Sequence, residues 1–235
     1  MSQTSEISEY YDRWVPDQVT KDVNLRHLRI FKLLKEFGLA RTDRVLEIGC
    51  GIGQVSSLIL SFLKAGSLTA TDISPASIDE ARRRNAGSTT ASFVVSDMTD
   101  FETREIYNVI VLPDVLEHIP IDKHADLFAL LFNLLADDGF VFIHIPHPRF
   151  LAWKQANEPE SLQVVDQVLH SDELLARAYS AGFYVERLQG HSIFSHVEDY
   201  QYIVLRKDFA IDTPQPKSKY LLGIKQLLAR LTAHL

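Results

Sequence analysis

The stretch RVLEIGCGIGQVS, residues 44–56, runs from a short apolar-rich segment through three alternate glycines into a helical pattern. Strand, glycine turn and helix in that order form the place where an open α/β sheet binds nucleotide-like ligands. Gly49, Gly51 and Gly53 permit positive φ and let a ligand approach the backbone. The spacing excludes two other loops. A dinucleotide fingerprint starting at Gly49 needs a glycine at Gln54, and one starting at Gly51 needs it at Ser56; no Gly-Lys-Ser/Thr phosphate loop occurs. Glu47, just before the turn, would repel a pyrophosphate but suits a cationic ligand. The loop reads as one for a positively charged nucleoside.

The rest of the chain repeats this alternation. Apolar runs RVLEI, SLTATDI, ASFVVS, YNVIVL and FVFIHI are separated by helical patterns at Gln54–Ala65, Pro75–Asn85 and Lys123–Ala136. Near-continuous apolar strands joined by helices predict a doubly wound, mostly parallel α/β sheet with helices on both faces. An earlier helix starts at the N-cap Asn24 and stops at Gly38, and a later one has Ser171 as N-cap and closes at Gly182. FYVERL and YQYIVLRK then bring the strand count to seven. Residues 1–23 form a polar arm holding Tyr10, Tyr11 and Trp14, 24–210 the main domain, and 211–235 a linker and helix, with Pro214 and Pro216 marking the linker.

Asp72 ends the second strand, where a carboxylate accepts from both hydroxyls of a ribose. Asp97 ends the third, placed to accept from an exocyclic amino group while Ile73 and Met98 flank the ring. Three acids at successive strand ends converge on one nucleoside. Each taken singly would equally serve as a cap or a surface carboxylate.

VLEIGCGIGQVS, TATDIS, VVSDM, VIVLPDVLEHIP and LLADDGFVFIHIP together resemble the successive motifs of class I S-adenosylmethionine-dependent methyltransferases, over roughly residues 40–147. The resemblance implies a Rossmann-like sheet of seven strands ending in an antiparallel hairpin. It implies that Glu47, Gly49, Cys50, Gly51 and Gly53 lie against the methionine moiety of S-adenosylmethionine, and that Asp72, Ile73, Asp97 and Met98 take the adenosine. Leu112, Pro113 and Asp114 fall on the segment near the sulfonium, where Pro113 departs from the usual small or polar residue. Tyr11 is similar to an N-terminal aromatic that folds over the cofactor, with an anchor for the arm as the other reading.

A hydroxyl acceptor needs a base near the methyl. His147, after the fifth strand, and His118, beside Glu117, lie on the ligand rim; His118 serves equally as a structural residue, and His144, between Ile143 and Ile145, reads as a hydrogen-bonded core histidine. Asp114, Glu117, His118 and His147 form no close ligand pair, so no metal is expected. The long connection 148–170 places Phe150 and Trp153 to stack on a sugar or aromatic ring, or to staple the insertion, and Arg149 and Lys154 to meet a phosphate. This stretch and VEDYQYIVLRK look similar to small methyltransferases of bacterial sugar and surface-polysaccharide modification. O-methylation of a carbohydrate-type acceptor (sugar, nucleotide sugar or glycan) is therefore the first expectation. A quinone, phenolic or other natural product, a non-catalytic cofactor-binding regulator and a nucleotide-dependent oxidoreductase are the alternatives.

Composition narrows the partners. The formal charge of −7 argues against nucleic acid. A single cysteine, Cys50, and a start without a basic, apolar leader suggest a cytoplasmic protein. The apolar stretch 127–136 is half the length that crosses a bilayer, about 20 residues. Lys217–Leu235 carries four basic residues, no acid and an apolar stripe, which suits a peripheral membrane contact, a homodimer contact or packing on the domain itself.

Overall fold

The computed structural model describes residues 3–99, 101–162, 166–210 and 218–232. Seven strands form one sheet: β1 (Arg44–Ile48), β2 (Ser67–Asp72), β3 (Ala91–Val95), β4 (Tyr107–Pro113), β5 (Leu135–Pro146), β6 (Phe183–His191) and β7 (Tyr200–Lys207). Their order is β3-β2-β1-β4-β5-β7-β6. The β1–β5 pairings are parallel and β7 runs antiparallel to both β5 and β6. The chain leaves β1 toward β2 and returns at β4. The crevice for a ligand therefore opens at the carboxyl ends of β1 and β4.

Helices α2 (Leu25–Glu36), α3 (Gln54–Phe62) and α4 (Pro75–Arg84) supply Ile30, Leu33, Ile59 and Ile78 to one core layer, against Val45, Val109, Val111 and Phe142. The other layer joins Leu46, Ile48, Ile110 and Ile143 to Phe128 and Leu131 of α5 (His124–Leu134) and Leu174 of α7 (Ser171–Ser180). Each such aliphatic side chain contributes about 1.5–3 kcal/mol by burial. Glu47, two residues after Val45, points into the first of these layers. A carboxyl there costs stability rather than adding to it.

Most elements match the sequence reading within two or three residues. Asn24 caps α2 through its side-chain oxygen, and Gly38 follows the helix at φ 112°. Three points differ. The arm is a helix, α1 (Gln3–Lys21), with Pro16 inside it; proline removes a helical donor, which speaks against a helix there. Ser171 is the first residue of α7 rather than its cap, a position held by His170 without a side-chain bond. The 148–170 connection contains α6 (Pro148–Asn157) and a 3-10 turn, Pro159–Ser161. Helix α8 (Lys219–Thr232) follows the linker, of which 211–217 lie outside the described residues, as does the Trp14 side chain. Among the described residues no helix is long and apolar enough to cross a membrane.

Candidate functional site

A cleft of about 610 Å³ opens at the β1/β4 crevice. Its wall combines Glu47, Gly49, Cys50, Gly51, Asp72, Ile73, Asp97 and Met98 with Tyr11, Pro113, Asp114, Glu117, His118 and Phe150. The residues read from three strand ends thus share one cavity.

The glycine loop is shaped by its own backbone. The N–H groups of Gly49 and Cys50 donate to Thr71 O at 2.8 and 2.9 Å, and Gly49, Gly51 and Gly53 all have positive φ. A Cβ on Gly49 would stand 2.5 Å from Val115 Cβ, so both conformation and space demand glycine. We expect Gly49→Ala to lower stability by about 2–3 kcal/mol in a denaturant melt; a loss under about 0.5 kcal/mol would contradict the close approach. Gly53 lies away from the cavity wall: it opens α3, and a Cβ on it would meet Asn85 and Ala81.

Asp72 braces this loop while facing the cleft. Its Oδ2 accepts from Gly51 N at 2.8 Å and its Oδ1 from Ser74 N at 2.9 Å. A carboxylate has about four acceptor positions, and the Ile73 backbone bonds it too, so acceptor capacity for about one ligand donor remains. Burial pushes its pKa up, against the backbone bonds that lower it. Asp97 Oδ1 accepts from Thr99 N and Oγ1, fixing the turn in which Met98 takes φ 69°. Glu47 is fully buried; Ser56 Oγ donates to its Oε2 at 2.6 Å, while Oε1 has no hydrogen-bond partner among the described residues. Burial drives its pKa up to about 8, with Asp72 adding to the rise and Ser56 opposing it.

Helix α1 closes over this half. Asp12 Oδ1 accepts from Ser74 Oγ at 2.5 Å and Ala76 N at 3.1 Å, capping α4, and Ser8 Oγ donates to Ile73 O. Tyr11 is thereby carried into the cleft, its ring 6.0 Å from that of His118. Burial first, then Glu117 and Asp166, raise the Tyr11 pKa, so the phenol stays protonated.

Across the cleft lies a buried ionic chain that sequence reading missed. Asp114, at φ 55°, meets Arg26 Nε at 3.0 Å through Oδ2 and His144 Nδ1 at 2.6 Å through Oδ1; His144 Nε2 stands 3.1 Å from His191 Nε2. Desolvation would raise Asp114, but Arg26 and His144 outweigh it and hold it down at about 2. Burial and then His144 push His191 down to about 4. His144 is fully buried and stacks on Tyr200 at 4.9 Å, the hydrogen-bonded core histidine expected of it. Only the αL-tolerant aspartate after β4 hinted at this network.

The two candidate bases separate. His118 lines the cleft, with Nδ1 3.3 Å from Asp166 Oδ1 and Nε2 3.9 Å from Glu117 Oε1. His147 does not line it: its Nδ1 accepts from Arg149 N as the N-cap of α6, and Nε2 faces Glu198 at 3.8 Å. His147, the first choice of base, thus lies outside the cleft wall with its Nδ1 lone pair engaged in helix capping. Leu112 is fully buried in the core rather than in the wall. Trp153 is 51% exposed and stacks on Phe150, so only Phe150 of that pair reaches the cleft. Glu117 is 2% exposed with Oε2 lacking a hydrogen bond among the described residues, and burial, then Asp114, raise its pKa well above the usual range. Among the described residues no group of three or more His, Cys, Asp or Glu is arranged to hold a metal ion.

Comparison with known proteins gives the family. The chain is 26% identical over 133 residues to a trans-aconitate 2-methyltransferase of Mycobacterium tuberculosis (strain ATCC 25177 / H37Ra), covering 57% of this chain and 48% of that protein. It is 28% identical over 124 residues to a malonyl-[acyl-carrier protein] O-methyltransferase of Anoxybacillus flavithermus, covering 49% and 48%. The chain spans about half the length of these curated relatives. Magnesium protoporphyrin IX methyltransferase of Synechocystis PCC 6803, solved with bound SAH, has the same fold: TM-score 0.67 at 17% identity, over 88% of this chain and all of that one. The sequence pattern of the family described as "Methyltransferase domain" matches residues 23–195, well over half of the sequence, and the chain belongs to that family.

Proposed function

We propose that the protein is an S-adenosylmethionine-dependent methyltransferase acting on a hydroxyl of a small, carbohydrate-type acceptor. The observation that carries the cofactor reading is the meeting of Glu47, Asp72 and Asp97, from three successive strand ends, in one cleft. The residues fit a cationic nucleoside: Glu47 Oε1 is a buried acceptor without a donor among the described residues, and Asp72 faces the cleft with acceptor capacity left beyond its backbone bonds. In this reading Asp72 takes the ribose, Asp97 the adenine amino group between Ile73 and Met98, and Glu47 with Gly49 and Gly51 the methionine end. Helix α1 acts as the lid. When bound, the cofactor supplies an electrophilic methyl on a sulfonium, so the chain's task is alignment and removal of the acceptor's proton. A hydroxyl is a poor nucleophile until that proton leaves. His118, oriented by Asp166, takes it, and Phe150 offers a ring face to the acceptor. A cytosolic setting, read from the lone cysteine, belongs to the same proposal.

A second reading, a carboxylate acceptor, is favoured by Arg26 and Lys154 in the wall and by the acids in the names of two relatives. Calorimetric titration with S-adenosylhomocysteine tests the cofactor: Asp72→Ala is expected to weaken binding by about 1.5–3 kcal/mol, and wild-type protein giving no heat would overturn the reading. Transfer from labelled cofactor to a panel of nucleotide sugars, glycolipids, phenols and tricarboxylic acids then selects the acceptor.

A further inference from the structure

We propose that α8 docks the protein on an anionic lipid surface, lying along the interface with its aliphatic stripe toward the acyl chains. Every side chain described in this helix is exposed, with Leu221, Leu222, Ile224 and Leu228 between 40% and 56%. A Cβ built on Gly223 would meet nothing within 4 Å, so another side of the helix is open as well. At 3.6 residues per turn, Leu221, Ile224 and Leu228 fall within roughly 60° of arc, and Lys225 borders them. A helix of 14 residues is marginal by itself in water, so covering that stripe is what would hold it helical.

Charge identifies the cover. From residue 217 to 235 the sequence carries four basic residues and no acid, +4, while the whole chain is −7, leaving −11 on the remainder. An anionic bilayer attracts the helix and repels the acidic body, which confines contact to this element. Lysine stems beside an apolar stripe reach along it while their ammonium groups stay at the headgroups. A second copy of the chain offers acidic surface too, but repulsion between two −11 bodies works against it.

The test is flotation of the full chain with phosphatidylglycerol–phosphatidylcholine vesicles against phosphatidylcholine alone. Binding is expected only with the anionic lipid, falling about tenfold as salt rises to molar levels. Leu221→Glu with Ile224→Glu should abolish it while S-adenosylhomocysteine binding is unchanged, because the helix lies outside the cleft. No flotation of the full chain, or equal flotation of the double variant, would overturn the proposal. So would light scattering that shows a dimer dissolved by the double variant together with no lipid binding. Failure of the methyltransferase reading would appear separately, in the cofactor titration.

Discussion

His118→Ala is expected to lower kcat by about 10²–10⁴ with little change in KM, whereas His147→Ala should leave kcat close to wild type. The difference follows from what each imidazole already does. In His147, Nδ1 accepts from Arg149 N at the start of α6 and the ring stays outside the cleft wall. In His118, the Asp166 carboxylate at 3.3 Å favours the tautomer with its proton on Nδ1, and the ring lines the cleft. Glu117 Oε1 at 3.9 Å from Nε2 is too far for a hydrogen bond. Burial, then Asp114, raise the Glu117 pKa and disfavour its ionised form, which counts against it as the base. Asp166→Asn should lower kcat as well, by a smaller factor, since it orients the ring without taking the proton. Single-turnover measurement on the acceptor found in the panel separates transfer from binding. A His118→Ala rate within threefold of wild type, at saturating acceptor, would remove the general-base role and favour the carboxylate reading, where no base is needed.

The same contrast explains what could be read in advance. The strands were legible because residues such as Val109–Leu112 are buried on both faces and must be apolar throughout. Glu47, Asp72 and Asp97 were legible because position in the strand–turn–helix pattern alone delivers them to the crevice. His147 falls outside the cleft wall because that position fixes where the backbone ends, not where the ring turns. The following Pro148 was the missed signal, since proline at the first helical position makes the preceding residue a cap. Asp166 sits in an aperiodic connection, and its partner is 48 positions away in sequence. The Arg26–Asp114–His144–His191 chain joins α2, the turn after β4, β5 and β6, a convergence that no local spacing records.

Glu47→Gln should yield a protein that is more stable than wild type at pH 9, indistinguishable near pH 4, and impaired in cofactor binding. The folded carboxyl titrates at about 8 and its ordinary value is 4.5. A raised acid holds its proton in the native state over the interval in which the unfolded chain releases it. Its stabilising contribution is therefore complete below pH 4.5 and lost as pH rises through 8. At 1.36 kcal/mol for each pH unit the ceiling is about 5 kcal/mol, reduced by relaxation around the site. Glutamine is neutral throughout and escapes the loss. The wild-type residue has a reason to accept it: a cationic group placed beside Oε1 would favour the ionised form, so the charge costly in the free protein becomes useful in the complex. At pH 6.5 S-adenosylmethionine binding should then release close to one proton. Titration heats would vary with the ionisation enthalpy of the buffer in wild type and become independent of it in Glu47→Gln. Parallel melting curves for the two proteins from pH 4 to 9, with buffer-independent heats in both, would show that Glu47 is ionised already and that the buried acceptor has another explanation.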